Sequence, residues 1–228
     1  MVHSIERPLR LGELLAETVR LYGDRIWASL GLGVVYTAVF AGAALIHDAA
    51  YYAVAAFMLA ATYGAASRLA SGDSFREAWA QVAVRLPVLL VLAFVVGLPF
   101  VLASSYALLL VFGAMWIALT GFSIPVTMLE REAEQRGWLA SVTYALERTI
   151  ALARTEYLHA AGVAAALVAV NLLVGVILTG ALVGFADNSA AIGALIAQVV
   201  LAPFFFLGLA VLYFEQKARA VSSPRRTD

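Results

Sequence analysis

From Leu86 to Leu129 the sequence runs for 44 residues without a charged side chain. A single helix of that length would measure about 66 Å, roughly twice the thickness of a bilayer's hydrocarbon core. We therefore expect the run to fold back on itself as a helical hairpin. Gly97, Pro99 and the polar stretch 103–106 are candidate helix breaks, and we place the turn at 103–106.

Four further uncharged or nearly uncharged runs are each long enough to cross a bilayer, and they are Ile26–Ile46, Ala49–Ser67, Tyr157–Ala186 and Asn188–Phe214. Of the 228 residues, 63% are hydrophobic and 13% are charged, whereas a soluble domain has about half and about a quarter. The sequence therefore predicts an all-α integral membrane protein with six transmembrane helices. It contains no cysteine, which excludes disulfides and thiolate chemistry.

The basic residues predict the orientation of these helices. With six spans and a cytoplasmic N-terminus, all 15 fall in segments 1–25, 68–85, 130–156 and 215–228, and none falls near 47–48, 103–106 or 187–188. By the positive-inside rule both termini are then cytoplasmic. Lys217 is the only lysine, and this arginine bias is typical of a GC-rich bacterial genome. We expect the bacterial cytoplasmic (inner) membrane.

Three amphipathic surface helices are predicted on the cytoplasmic side, at Leu11–Tyr22, from a capping box at Ser74–Glu77, and at Trp138–Thr155. Their expected apolar faces are Leu11, Leu14, Leu15 and Val19; Phe75, Ala78, Trp79 and Val82; and Leu139, Val142, Leu146 and Ile150. Leu11 lies 64 residues before Phe75, and Phe75 lies 64 residues before Leu139. We interpret 1–228 as one membrane domain of three internal repeats, about 9–70, 73–129 and 137–219, each a surface helix plus a transmembrane hairpin.

Three stretches together resemble a known family: Arg7–Leu15 continuing through Thr18–Tyr22, Pro125–Glu130, and Ala202–Pro203 through Leu212–Arg219. They are similar to the glycerophosphoryl diester phosphodiesterase membrane-domain family and its YciC-like uncharacterised bacterial relatives. Arg131 stands where that family usually has glycine, and Glu215 where it often has aspartate. Some members fuse this module to a soluble catalytic barrel, for which we expect no room in this chain. The resemblance therefore implies a stand-alone membrane module without the enzyme activity.

The sequence shows no catalytic or metal-binding motif. His3 lies near the terminus, His47 with Asp48 in a predicted turn, and His159 at the inner end of a span. We interpret the His47–Asp48 pair as a polar turn rather than a metal or proton site, and His159 as an interfacial anchor. We accordingly predict a protein that is not an enzyme and that uses no cofactor, metal or nucleic acid.

No ionisable side chain is expected deep in the membrane. The buried polar candidates are Asn171, Gln198, Thr37, Thr120 and Ser123. Asn171 and Gln198 could line a small cavity, but we favour interhelical hydrogen bonds. The charge cluster Glu130, Arg131, Glu132, Glu134 and Arg136 could be a solvated loop, which we favour, or a docking surface.

These patterns favour a non-enzymatic membrane protein that organises a protein partner or local lipid through its cytoplasmic surface helices. The alternative is a carrier or channel subunit for a small or lipid-like substrate. An enzyme acting on lipid headgroups is least favoured, because no acid, base or metal set is present. Expected partners are the lipid bilayer and a cytoplasmic or membrane protein, and the oligomeric state is not predicted.

Overall fold

The computed structural model describes residues 8–43, 45, 48–104, 109–182 and 189–222, and these residues form helices and short connections without any strand. The helices are α1 (Leu11–Asp24), α2 (Ile26–Ala43), α3 (Asp48–Ser71), α4 (Phe75–Val84), α5 (Leu86–Leu92), a π-helical segment (Ala93–Gly97), α6 (Leu98–Ser104), α7 (Leu110–Thr120), α8 (Ser123–Leu129), α9 (Arg131–Glu134), α10 (Trp138–Ala153), α11 (Tyr157–Leu182) and α12 (Ser189–Ser222).

Within the described residues, six helical segments are long and apolar enough to cross a membrane: Ile26–Ala43, Ala50–Ser71, Leu86–Ala103, Leu110–Leu129, Tyr157–Ala181 and Ala191–Ser222. This confirms the prediction of an all-α membrane protein with six spans. In the longest apolar run, α6 continues through Ser104 and α7 begins at Leu110, so the predicted turn at 103–106 overlaps the end of α6. Residues 105–108 lie outside the described part of the chain. The last helix also continues past the predicted end at Phe214, to Ser222.

Each of the short helices α1, α4 and α10 precedes a pair of membrane-spanning segments, in the predicted order. The capping box of α4 is present, since the Ser74 hydroxyl accepts from the Glu77 N–H at 3.3 Å and the Glu77 carboxylate accepts from the Ser74 N–H at 2.9 Å. The equivalence of the three segments as repeats stays a prediction.

The apolar face predicted for α1 differs from the face that packs. Leu14 is fully buried and Leu21 nearly so, whereas Leu11 and Val19 are 42% and 60% exposed. In α10, Leu139 and Ile150 are likewise exposed, while Val142 is buried. The bundle covers only a narrow strip of each helix, so the remaining apolar side chains face its surroundings.

Polar contacts place the charged connections at one end of the bundle. The Arg25 guanidinium donates to the carbonyls of Leu69 (3.0 Å), Gly72 (3.1 Å) and Asp73 (2.6 Å), where α3 ends. Arg68 donates to the Met128 carbonyl at the end of α8. The guanidinium of Arg219, near the end of α12, donates to the Leu9 carbonyl before α1. We call this end, comprising residues 9–25, 68–86, 128–157 and 213–222, the basic face.

Helix α3 lies at the centre of the bundle, whereas α2 and α11 lie at its periphery. In the most apolar stretch of α3, 78% of residues are buried, against 28% in that of α2 and 22% in that of α11. The Tyr63 hydroxyl of α3 donates to the Leu209 carbonyl of α12 at 3.2 Å, and the Tyr63 ring stacks on Phe206. The exposed apolar faces of the peripheral helices are what lipid contact requires.

Three prolines lie beyond the first turn of a membrane-spanning segment, and each leaves one backbone carbonyl without its helical donor. Pro99 follows the π-helical segment and has no N–H for the Val95 carbonyl four residues earlier; the Trp116 indole N–H donates to that carbonyl at 3.0 Å. Pro125 similarly has no N–H for the Gly121 carbonyl. That carbonyl accepts from the Ile124 N–H at 3.2 Å, where α7 and α8 separate.

Pro203 lies inside the continuous helix α12. It leaves the Val199 carbonyl without its α-helical donor, and α2 passes close to this point at Gly33. A Cβ atom on Gly33 would lie only 1.9 Å from the Val199 oxygen. The contact between α2 and α12 therefore depends on the absence of a side chain at position 33.

Candidate functional site

A buried carboxylate, Glu130, lies at the centre of the basic face. It follows α8 directly, and its residue surface is 6% exposed. One oxygen accepts from the Tyr213 hydroxyl at 3.0 Å and lies 3.3 Å from Lys217 Nζ. The other accepts from the Tyr144 hydroxyl at 2.8 Å and lies 3.4 Å from Arg148 Nε. One side chain thus joins the α8–α9 connection to α10 and α12.

The electrostatics of this group follow from these contacts. Burial raises the pKa of Glu130, but the Tyr144 and Tyr213 hydroxyls and the Lys217 and Arg148 charges together outweigh burial and lower the pKa below its ordinary value. Burial, with the hydrogen bond to Glu130, raises the pKa of Tyr144 to about 12. The carboxylate is therefore charged and the Tyr144 phenol neutral at neutral pH.

A second polar cluster surrounds Arg219 near the end of α12. Its guanidinium bonds to the carboxylates of Glu215 and Glu156 and to the Leu9 carbonyl. Glu215 is fully buried, and His159 Nε2 lies 3.7 Å from its carboxylate. This cluster ties α1, the start of α11 and α12 together at the basic face.

Both buried carboxylates were missed by the sequence interpretation. Glu130 was assigned to a solvated loop, which is wrong for this residue, although Arg131 and Glu132 are exposed as expected. Glu215 was placed just beyond the last span, in segment 215–228, but α12 continues past it. The spacing Tyr213–Lys217 and Glu215–Arg219 was an available signal, because residues four apart share a helix face.

The other members of the predicted charge cluster and the histidines have separate positions. The Arg136 guanidinium lies 4.6 Å from the Tyr144 ring centroid, and the Glu134 side chain is outside the described part. His3 and His47 are also outside the described residues. His159 is part of the Arg219 cluster, which is a more specific environment than an interfacial anchor.

Asn171 and Gln198 line one cavity of about 320 Å³ in the half of the bundle away from the basic face. Its wall is formed mainly by α11 and α12, with Tyr36, Leu59, Phe100 and Leu110 closing it from the other helices. The Asn171 Nδ2 donates to the Leu167 carbonyl within its own helix, at 2.9 Å. The two amides therefore share a cavity. The Asn171 hydrogen bond lies within α11, so it is not the interhelical hydrogen bond that we favoured.

The remaining polar candidates do not join that cavity. The Thr120 hydroxyl donates to the Trp116 carbonyl at 2.8 Å, and the Ser123 hydroxyl donates to the Thr120 carbonyl at 2.7 Å. Both bonds satisfy hydroxyls within the α7–α8 region. Thr37 is 5% exposed, and its hydroxyl has no hydrogen-bond partner among the described residues.

The buried carboxylates position the segments that meet at the basic face. Within the described ranges, no group of three His, Asp or Glu side chains could hold a metal ion. Each buried carboxylate is engaged by cationic or hydroxyl groups. Comparison with known proteins found no matching family model, curated protein or solved structure, so the resemblance based on the three sequence stretches stays a prediction.

Proposed function

We propose that this chain is a non-enzymatic, multi-pass protein of the bacterial cytoplasmic membrane, with both termini in the cytoplasm. Its surface helices would organise a protein partner or local lipid. One observation carries this proposal: Trp138 and Leu139, at the start of α10, are 52% and 62% exposed. Exposed apolar side chains beside charged ones are typical of interaction surfaces.

The Glu130 contacts support a fixed position for that apolar pair. Tyr144 lies on the same helix as Trp138 and Leu139 and bonds to Glu130, which also bonds to Tyr213 of α12. A surface helix held in this way presents its exposed side chains in one orientation, which lowers the entropic cost of binding. Arg131 and Arg154 are also exposed nearby in sequence and would attract anionic headgroups by about 1 kcal/mol each.

Site-specific photo-crosslinking in cells tests this proposal. A photoreactive amino acid at position 139 is expected to trap a protein of defined mass or one headgroup class of lipid. The same amino acid at position 102 is the control, because Leu102 is 44% exposed on α6, towards the other end of the bundle. Identical adduct profiles at 139 and 102, or no adduct at 139, would contradict the proposed organising role.

The second candidate function is a carrier or channel subunit for a small or lipid-like substrate. The cavity that contains Asn171 and Gln198 favours it. Reconstituted vesicles would test it: Asn171→Leu and Gln198→Leu should reduce solute uptake or lipid movement while the protein stays folded. Unchanged movement in both variants would remove the cavity from the transport path.

A further inference from the structure

We propose that the cavity between α11 and α12 binds an uncharged, single-chain amphiphile, meaning a hydrocarbon chain that carries a hydroxyl, ester or amide group. This names a substrate class for the carrier function proposed above and rests on that function for any transport role. It is independent of the surface helices. The argument uses the cavity's shape, its polarity and its access to the surroundings.

The cavity is elongated along the two helices. Its lining residues extend from Val168 to Thr179 on α11 and from Ala194 to Phe206 on α12, which corresponds to about 17 Å along each helix axis. The volume of about 320 Å³ is at the lower end of the range for small-molecule sites, about 300–1,000 Å³. A long, small space between helices suits a chain better than a compact solute.

The polar groups of the wall are neutral. The cavity's described lining contains no Asp, Glu, Lys, Arg or His, so a charged headgroup would lose its hydration without a compensating partner. The Asn171 side-chain nitrogen donates to the Leu167 carbonyl, and the Asn171 side-chain carbonyl takes no part in that bond. The Gln198 side chain makes no hydrogen bond to any residue that the structure describes.

An amide without a partner in a hydrocarbon environment is unfavourable. A bound hydroxyl, ester or amide group would supply the missing partner to Gln198, and the chain would contact Leu172, Leu201 and Phe205. Apolar walls with a few placed polar groups are the usual composition of such sites.

The cavity communicates with the outside of the bundle. Leu172 forms part of its wall and is 50% exposed, and α11 is the least buried of the six spans. Because α11 lies within the membrane, this side faces lipid. An amphiphile could therefore enter from the bilayer without crossing the protein's core.

Photolabelling of the full-length protein in phosphatidylcholine vesicles tests the inference. The probe is a 10-carbon monoacylglycerol with a diazirine in its chain, and the comparison probes are the matching hydrocarbon and the matching fatty acid. We expect monoacylglycerol adducts on segments 168–179 and 194–206, at least fivefold above adducts of either comparison probe. Non-photoreactive monoacylglycerol should compete for them.

Two glycines of α11 provide a matched pair of variants. Gly175 lines the cavity, and a Cβ there would make ordinary contact with Leu201 Cδ1 at 3.6 Å, whereas a Cβ on Gly180 meets nothing within 4 Å. Gly175→Leu should reduce the specific adducts at least fivefold, and Gly180→Leu should leave them unchanged. Gln198→Leu should abolish the preference for monoacylglycerol over the hydrocarbon.

Equal labelling by all three probes, or labelling unaffected by Gly175→Leu, would overturn the inference, because it would show contact with bulk lipid only. Preferred labelling by the fatty acid would also overturn it. The transport assay separates the two proposals. Labelling without lipid or solute movement would retain the binding site and reject the carrier, and movement without specific labelling would reject the binding site alone.

Discussion

Replacing Gly33 with alanine should force α2 and α12 apart. The added Cβ would lie 1.9 Å from the Val199 carbonyl oxygen, 2.8 Å from its carbonyl carbon and 3.0 Å from Pro203 Cγ. A carbon approaches a carbonyl oxygen to no less than about 3.3 Å in favourable contacts, so one backbone must move by roughly 1.4 Å. No side-chain rotation relieves the overlap, because the nearest atoms belong to the backbone.

The net destabilisation follows from two opposing effects. Overpacking a well-packed interface costs about 1–3 kcal/mol, and the backbone overlap at position 33 places this substitution at the upper end. Exchanging glycine for alanine within a helix returns up to about 1 kcal/mol. We therefore expect Gly33→Ala to lower the free energy of unfolding by about 2 kcal/mol.

Gly42→Ala is the matched control, because it lies on the same helix and a Cβ there meets nothing within 4 Å. It should leave the stability unchanged or raise it by up to about 1 kcal/mol. Thermal unfolding in one detergent, followed by tryptophan fluorescence, would measure both variants. For a chain of this size a loss of about 2 kcal/mol lowers Tm by about 4–8 °C. A Gly33→Ala Tm equal to or above that of Gly42→Ala would refute the close approach of α2 to α12.

Three further predictions concern other parts of the molecule. Trp116→Phe removes the donor to the Val95 carbonyl and should lower the free energy of unfolding by about 1 kcal/mol in the same thermal assay, whereas Trp138→Phe, at an exposed position, should not. The pKa of Glu130 is lowered in the folded state, so its stabilising contribution is present above the ordinary carboxyl pKa of about 4.3 and is lost as pH falls through the lower folded value. Glu130→Gln should therefore reduce the acid dependence of Tm below about pH 4.5. An unchanged dependence of Tm on pH would contradict this account. Because the chain has no native cysteine, the single variants Leu109→Cys and Gly137→Cys would report topology. A membrane-impermeant maleimide added to intact cells should label the cysteine at position 109 and not the one at position 137.

The sequence was sufficient to predict the number of spans because their signal is local. Each span is a continuous apolar run whose length can be compared directly with bilayer thickness. Helix ends were predicted less well where no local signal marks them. The continuation of α12 through Glu215, Lys217 and Arg219 was missed, because charged residues after an apolar run were taken as its end. Lys217 and Arg219 pair with Glu130 and Glu156 in other segments, and Glu215 pairs with Arg219 within α12 itself.

The apolar faces of the surface helices were predicted only in part, for a related reason. Leu11, Leu14 and Val19 are equivalent by helical periodicity, yet only Leu14 is buried by the bundle. Periodicity identifies an apolar side of a helix but not which surroundings cover it, protein or lipid. In a soluble protein the distinction would rarely arise, because protein alone covers such a side.

The cavity at Asn171 and Gln198 and the cluster at Glu130 differ in how far apart their residues lie in the sequence, and this difference explains which of them could be predicted. Asn171 and Gln198 are nearly equidistant from the middle of the 183–188 connection, so any close antiparallel packing of α11 with α12 brings them to the same level. Their common cavity could therefore be considered from the sequence. Glu130 and Tyr213 are 83 residues apart and meet only because α8 and α12 both end at the basic face. That meeting depends on how three hairpins pack together, which no local pattern in either segment specifies. As a result Glu130, which charged residues follow in the sequence, becomes the buried centre of the basic face.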